Sequence, residues 1–586
     1  MLARLTAVLV LLVMVVSVVT VIALQEQEVT GVYINSVGVR LPPDAAPLEY
    51  QVFTSFKPEN RFLDMATSHY QVISHDYALV NEPLVRVDRN YNLIPAAATH
   101  WDVSEDGLTW TFYLQPDLIF ADGHPLTARD FEDTFKRWAD PTTGFDFEWY
   151  YRTIKNWGAV VSGQMPLDSL GVRTIDDHTI AFTTEQPTPY APLILSFSWV
   201  TPTHLFEKYG AGWSTKPETL LGSGPYRLAE WTKLDRIVLE PNPQYRGPHK
   251  PYLERVVSKL FSPAAQPPML SSYEAGDVDH VVLNNQAEIK RVKTDPVLRH
   301  QLDTYVEFGT TYLMMDTFNP PFNDPRVRQA FSHAIDKEAL INSALREIAA
   351  PAASMMPQGF PAADPEGLAS IQRYDPVLAR QRLAEAGYPD GRGFPPMKMW
   401  IRGATLQGGI TPEAVQAMLK QNLNVEIGVQ NTEAKVFMEA LYEDAIPFAM
   451  VPYGYDYLDP SNLLGIWLSS GRHAWYNESF ESLMAIANQL VDDPDKRITL
   501  YQQAEHFLVD DVAGVFLWHP LRNELWKPYL RAEALERNDK GSYALRIDKL
   551  LNLSTTMYVT NEVLKKPNDL DNTRGLWQWL FGGEEE

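Results

Sequence analysis

Between Leu108 and Leu114 the chain alternates, with Leu108, Trp110, Phe112 and Leu114 separated by Thr109, Thr111 and Tyr113. A period of two sends successive side chains to opposite faces, so this stretch predicts a half-buried strand. Ala121-Asp122-Gly123-His124-Pro125 then punctuates a turn. Thr127, with Asp130 three residues on, opens a helix whose apolar face is Phe131, Phe135 and Trp138.

Two further helix starts are marked in the same way. Asp324 precedes Pro325 and Asp375 precedes Pro376, each a capping residue followed by a proline whose missing N–H costs nothing at the first helical position. After the first, Val327, Ala330, Phe331, Ala334 and Ile335 make one apolar face. The second helix is expected to stop at Gly387, with Pro389 behind it. Further strands are predicted around 179–184, 226–231 and 236–241. Strands and helices alternate irregularly, which gives an α/β class with mixed sheets. Gly222 and Gly224 bracket Ser223 before Pro225 and predict a tight turn with close backbone approach. This is no phosphate loop, because the Walker spacing and its lysine are missing.

The 586 residues exceed what one hydrophobic core usually supports, so two or three domains are expected. A formal charge of −24 argues against nucleic acid as a partner, which needs a basic patch. The chain has no cysteine, which excludes disulfides, thiolate metal sites, cysteine nucleophiles and a lipid anchor built on cysteine. After Arg4, the twenty residues Leu5 to Leu24 carry no charge, and Glu26 and Glu28 follow. That length fits a bilayer span of ~20 residues, while a secretory apolar region runs ~7–15. Residues 1–25 are therefore a membrane anchor or a removed signal peptide. In either case the body lies outside the cytoplasm by the positive-inside rule.

Catalysis finds no support in the motifs. The thirteen histidines are scattered, with no H-E-x-x-H pair and no zinc spacing, and no Gly-x-Ser-x-Gly elbow occurs. Neither a metal nor another cofactor is expected. Most of the fifteen tryptophans that would suit sugar stacking, such as Trp110, Trp138 and Trp231, sit inside apolar runs and read as core.

The turn-and-helix unit from Asn81 to Trp138 resembles the family 5 solute-binding proteins of ABC transporters, the peptide-binding group. Other blocks are similar to that family in the same order. Leu221-Gly222-Ser223-Gly224-Pro225-Tyr226 leads through Trp231 to Asn242-Pro243-Gln244-Tyr245. Pro251-Tyr252-Leu253 and Gly276-Asp277-Val278-Asp279 follow, then Phe322-Asn323-Asp324-Pro325-Arg326-Val327-Arg328-Gln329-Ala330-Phe331 running into Ala334-Ile335-Asp336-Lys337. Leu383-Ala384-Glu385-Ala386-Gly387-Tyr388 and Tyr455-Asp456-Tyr457-Leu458-Asp459-Pro460 complete the series.

The resemblance implies a two-lobed periplasmic-binding-protein-like fold of type II, with an extra subdomain and a hinge. On that basis lobe I takes 26–75, 215–308 and 520–586, the extra subdomain 76–214, and lobe II 309–519. It also implies a monomer that captures oligopeptides by hinge closure and passes them to ABC permease and ATPase subunits. Asp456 matches the position where peptide-binding relatives place a carboxylate for the ligand's α-ammonium. The competing reading is a turn cap beside Asp459-Pro460.

Tyr453, Tyr455 and Tyr457 could wall such a pocket; at strand spacing they would share a face. Trp475 is a further candidate wall, and Arg402 a loosely matched partner for a peptide carboxylate. A nickel-binding branch of the family would need cleft histidines, for which His473 and His519 are the candidates. Two alternatives stay open: a binding protein for an oligosaccharide or other small solute, and a membrane-anchored receptor without transport. Gly575-Leu576-Trp577-Gln578-Trp579-Leu580-Phe581 is an apolar cluster that packs on the first lobe or forms an interaction surface, and Glu584 to Glu586 is an acidic tail.

Overall fold

The computed structural model describes residues 32–59, 63–66, 75–262, 264–403, 411–539, 541 and 555–564. The apolar amino-terminal segment, the Gly575–Phe581 cluster and the acidic tail lie outside the described residues. Among those described, no helix is long and apolar enough to cross a membrane.

A twelve-stranded mixed sheet runs through the molecule. Its order is Ile427–Thr432, Met397–Arg402, Phe448–Gly454, Gly309–Met315, Gly514–Trp526, His280–Val282, Val52–Pro58, Arg255–Phe261, Arg236–Pro241 and Tyr226–Thr232. Leu302–Val306 and Ala349–Pro351 also pair with Gly514–Trp526. Val52–Pro58 and Met397–Arg402 run parallel to both neighbours, and the other pairs are antiparallel.

The thirteen-residue strand Gly514–Trp526 joins the two halves of this sheet. Its first part pairs with Gly309–Met315 and its last part with Leu302–Val306 and His280–Val282. Between them the Glu307 N–H donates to the Pro520 carbonyl at 2.9 Å. Gly309–Met315 is buried along its whole length. Tyr312 and Met314 face one hydrophobic cluster while Leu313 and Met315 face another, as expected of a central strand covered on both sides.

A separate four-stranded antiparallel sheet takes Ala98–Val103, Thr109–Leu114, Thr179–Thr183 and Val172–Asp176 in that order. Trp110, Phe112 and Leu114 point inward, as the alternation predicts. The helix Ala128–Ala139 buries Phe131, Phe135 and Trp138 beneath the sheet's apolar residues, with Phe135 meeting Phe182 at 5.0 Å between ring centroids. Its start is closed by the Asp130 carboxylate, which accepts the Thr127 N–H at 2.9 Å.

Asp324 and Asp375 cap the helices Pro325–Ala334 and Pro376–Glu385 through the Arg326 and Leu378 amides. The second of these ends with Gly387 at φ +96°, where a side chain would be strained. The glycine pair 222/224 lies against residues 79–81. A Cβ at Gly224 would stand 2.4 Å from the Leu79 carbonyl oxygen, so only glycine permits this approach.

Candidate functional site

Strand Phe448–Gly454 pairs with Gly309–Met315 and stops at Gly454, where the chain bends into the helix Pro460–Gly465. Alternation ends there, so the three tyrosines part company instead of sharing a face. Tyr453 and Tyr457 line a cavity of about 700 Å³. Tyr455 turns the other way, 5.7 Å from Phe308 and 6.3 Å from Phe360 between ring centroids, and lines a second space of about 380 Å³ beside the strand junction. Asp456 and Tyr453 border both.

Asp456 and Asp459 do different work. Asp459 caps the helix by accepting the Ser461 N–H at 3.0 Å, and Arg497 donates to it at 2.6 and 2.7 Å. Burial alone would lower the Arg497 guanidinium, but the Asp459 carboxylate outweighs it and holds the group above its usual range. Asp456 accepts a 2.8 Å bond from the Tyr453 hydroxyl and a longer one, 3.4 Å, from the Asn462 amide. Its own N–H donates to Asn462 Oδ1 at 2.8 Å, which fixes the bend. Among the described residues it has no cationic partner within ion-pair distance. The cap role thus belongs to Asp459, and Asp456 is a half-buried carboxylate facing a cavity.

Residues more than 250 positions earlier close the cavity. Tyr190 stacks on Tyr457 at 5.4 Å with the planes 8° apart, and Tyr150 meets the same ring edge-on at 5.9 Å. The Tyr150 hydroxyl is buried without a hydrogen-bond partner. Burial first, and then the nearby Asp456 charge, push its phenol well above the usual range, so it remains a neutral donor. The same two causes, in the same order, act on Tyr453.

Two arginines join them. Arg402, the last residue of its strand, lines the cavity and donates to the Met438 sulfur at 3.4 Å. Arg472 lines it too, with Cζ 4.3 Å from the centroid of the Tyr453 ring. Tyr150, Tyr190 and Arg472 were not singled out from the sequence, since Arg472 lies in the Ser470–His473 loop without periodicity or motif.

Trp475 is placed elsewhere. It is 1% exposed, packs edge-on to Phe480 at 5.0 Å, and donates its indole N–H to Asp511 at 2.7 Å. A ring buried on all sides serves packing and cannot wall a cavity. His473 shares a 2.7 Å hydrogen bond with the Tyr312 hydroxyl, and His519 lies 3.0 Å from the Gly309 carbonyl and from the Thr310 hydroxyl. Burial, aided by Arg472, pushes His473 well below its usual range, and burial lowers His519 to about 4. No group of three or more metal-ligating side chains occurs among the described residues.

A family model described as bacterial extracellular solute-binding proteins, family 5 Middle, matches residues 92–475. The chain belongs to this family. It is 30% identical over 447 residues to the periplasmic oligopeptide-binding protein of Salmonella typhimurium, covering 74% of this chain and 81% of that one. It is also 28% identical over 459 residues to a probable deoxycholate-binding periplasmic protein of Escherichia coli, covering 77% of this chain and 84% of the other. Among solved structures, the unliganded open form of a periplasmic murein tripeptide binding protein superposes with a TM-score of 0.71 at 24% identity, over 88% of this chain and 99% of that one. The fold is that of the two-lobed binding proteins.

Proposed function

We propose that this family 5 solute-binding protein captures oligopeptides outside the cytoplasm and delivers them to the permease and ATPase subunits of an ABC importer. Family membership leaves the ligand open, since relatives of similar identity are named for an oligopeptide and for a bile acid. The observation that carries the peptide reading is Asp456, a carboxylate bordering two cavities with no cation within ion-pair distance among the described residues. A peptide's α-ammonium supplies that cation. A charge-assisted hydrogen bond in a closed site is roughly twice as strong as a neutral one.

The hinge lies where Glu307–Gly309 and His519–Pro520 join the two halves of the long sheet, and a ligand that touches both sides favours the closed form through differential affinity. Edge backbone at Gly454, together with Tyr453 and Tyr457, offers main-chain hydrogen bonds and amphipathic walls that tolerate varied side chains. Micromolar binding needs about 8 kcal/mol, within reach of one ion pair, several backbone bonds and modest apolar burial.

Native mass spectrometry of the purified chain, followed by denaturing identification of the released ligand, tests this reading. A ladder of short-peptide masses is expected. A single sugar or bile-acid mass overturns it.

A further inference from the structure

The lining of the 700 Å³ cavity runs against the composition of the chain. The protein as a whole carries −24, yet its cavity is lined by Arg152, Arg402 and Arg472 against the single carboxylate Asp456. Two of these arginines have polar neighbours: Arg152 pairs with Glu148 at 2.6 Å, and Arg402 donates to Met438. Arg472 differs. Its Nε is buried without a hydrogen-bond partner, and among the described residues no carboxylate lies within ion-pair distance of its guanidinium.

Arg472 as a whole is half-buried, but a buried N–H without a partner is costly, and the guanidinium fork matches the two oxygens of a carboxylate. Tyr453 sets the spacing. Its hydroxyl donates to Asp456 at 2.8 Å while its ring supports Arg472 at 4.3 Å, so a carboxylate and a guanidinium flank one phenol.

We infer that Arg472 receives a carboxylate of the ligand, so that the cavity selects peptides whose free amino end lies close to a negative charge. This rests on the peptide reading above and narrows it to a ligand class. The ammonium goes to Asp456 and the carboxylate to Arg472, which gives each a charged partner at hydrogen-bond distance in one event. Two sources supply that chemistry: an acidic side chain in one of the first two residues, or the terminal carboxylate of a dipeptide.

Calorimetry with the full chain distinguishes them. The probes are Ala-Glu-Ala and its isostere Ala-Gln-Ala, and Ala-Ala and its carboxamide. The unaltered protein is expected to prefer the charged member of one pair by roughly ten-fold or more. Arg472→Gln is expected to abolish that preference, and Arg472→Lys to retain part of it. Loss within the Glu/Gln pair assigns the side chain, and loss within the acid/amide pair assigns the terminus. The inference is overturned if both ratios are unchanged in Arg472→Gln, or if the unaltered protein binds peptides with no preference in either pair. Binding of no peptide at all, these four and a mixed peptide library alike, overturns the peptide reading itself and this inference with it.

Discussion

Arg497 holds Asp459 with two hydrogen bonds of 2.6 and 2.7 Å, and Asp456, three residues earlier, has no cation within ion-pair distance among the described residues. That division separates a paired structural acid from the one proposed to bind the ligand. It also tells which substitution should damage stability and which should damage affinity.

Asp456→Ala is expected to weaken free-amine peptides by roughly ten-fold or more, the worth of a charge-assisted hydrogen bond, while barely affecting their N-acetylated forms. Titration calorimetry with matched peptide pairs reads the ratio directly. Equal losses for both forms would remove the ammonium role from this residue.

Arg497→Ala acts differently, because it strands Asp459, which is 6% exposed. Breaking a buried pair by removing one partner costs about 3–5 kcal/mol, so urea denaturation should show a large drop in midpoint. Asp459→Asn combined with Arg497→Gln should recover part of that loss. A double variant no more stable than Arg497→Ala alone would contradict the pairing.

Glu505 gives the pH dependence. It is fully buried, accepts the Met356 N–H at 2.7 Å, and burial raises its carboxyl from 4.5 to about 8. Below about pH 4.5 both folded and unfolded states hold the proton and stability does not change through this group. Between there and about 8 only the unfolded chain ionises, so stability falls as pH rises. Glu505→Gln removes that slope, and its advantage over the natural protein should grow from pH 5 to pH 8 in urea titrations. A constant difference across that range would show the carboxyl is already ionised when folded.

Trp475→Phe separates packing from binding. The variant deprives the partly exposed Asp511 of a 2.7 Å donor while Arg328 stays paired to it, so a stability loss of about 1 kcal/mol is expected with peptide affinity essentially unchanged. A clear loss of affinity at constant stability would restore Trp475 to the site.

Gly224→Ala is expected to destabilise by about 1–3 kcal/mol or more, because the added carbon meets the carbonyl of Leu79 and the amide of Asn81 at 2.4 and 2.6 Å. Both obstacles are backbone and cannot rotate away. Thermal melting of the variant checks the direction.

Much of this architecture was legible in the chain, because its causes are local. The 109–114 alternation, the Asp-Pro starts at 324 and 375 and the stop at Gly387 each depend on a few adjacent residues, and each appears as an element of the structure. The expectation of close backbone approach at Gly222 and Gly224 is met in the same way. The ordered blocks from Asn81 to Pro460 carried the family.

The site was only partly legible. Sequence left Asp456 open between an ammonium ligand and a turn cap beside Asp459-Pro460; the structure gives the helix cap to Asp459, which accepts the Ser461 N–H and pairs with Arg497 nearly forty positions on. Tyr453, Tyr455 and Tyr457 keep strand spacing on paper, but the strand stops at Gly454, and the backbone bend puts Tyr455 and Tyr457 in different cavities, with Tyr453 bordering both. Trp475 looked like Tyr453 in composition and differs only in what surrounds it. Tyr150, Tyr190 and Arg472 belong to segments with no shared motif, brought to one cavity by the packing of the 147–194 region against the 437–472 region. Periodicity and capping act over one turn or one strand, so the sequence by itself determined the elements and the family. Charge pairing and cavity walls depend on which side chains meet across hundreds of residues, and only the tertiary structure decided those.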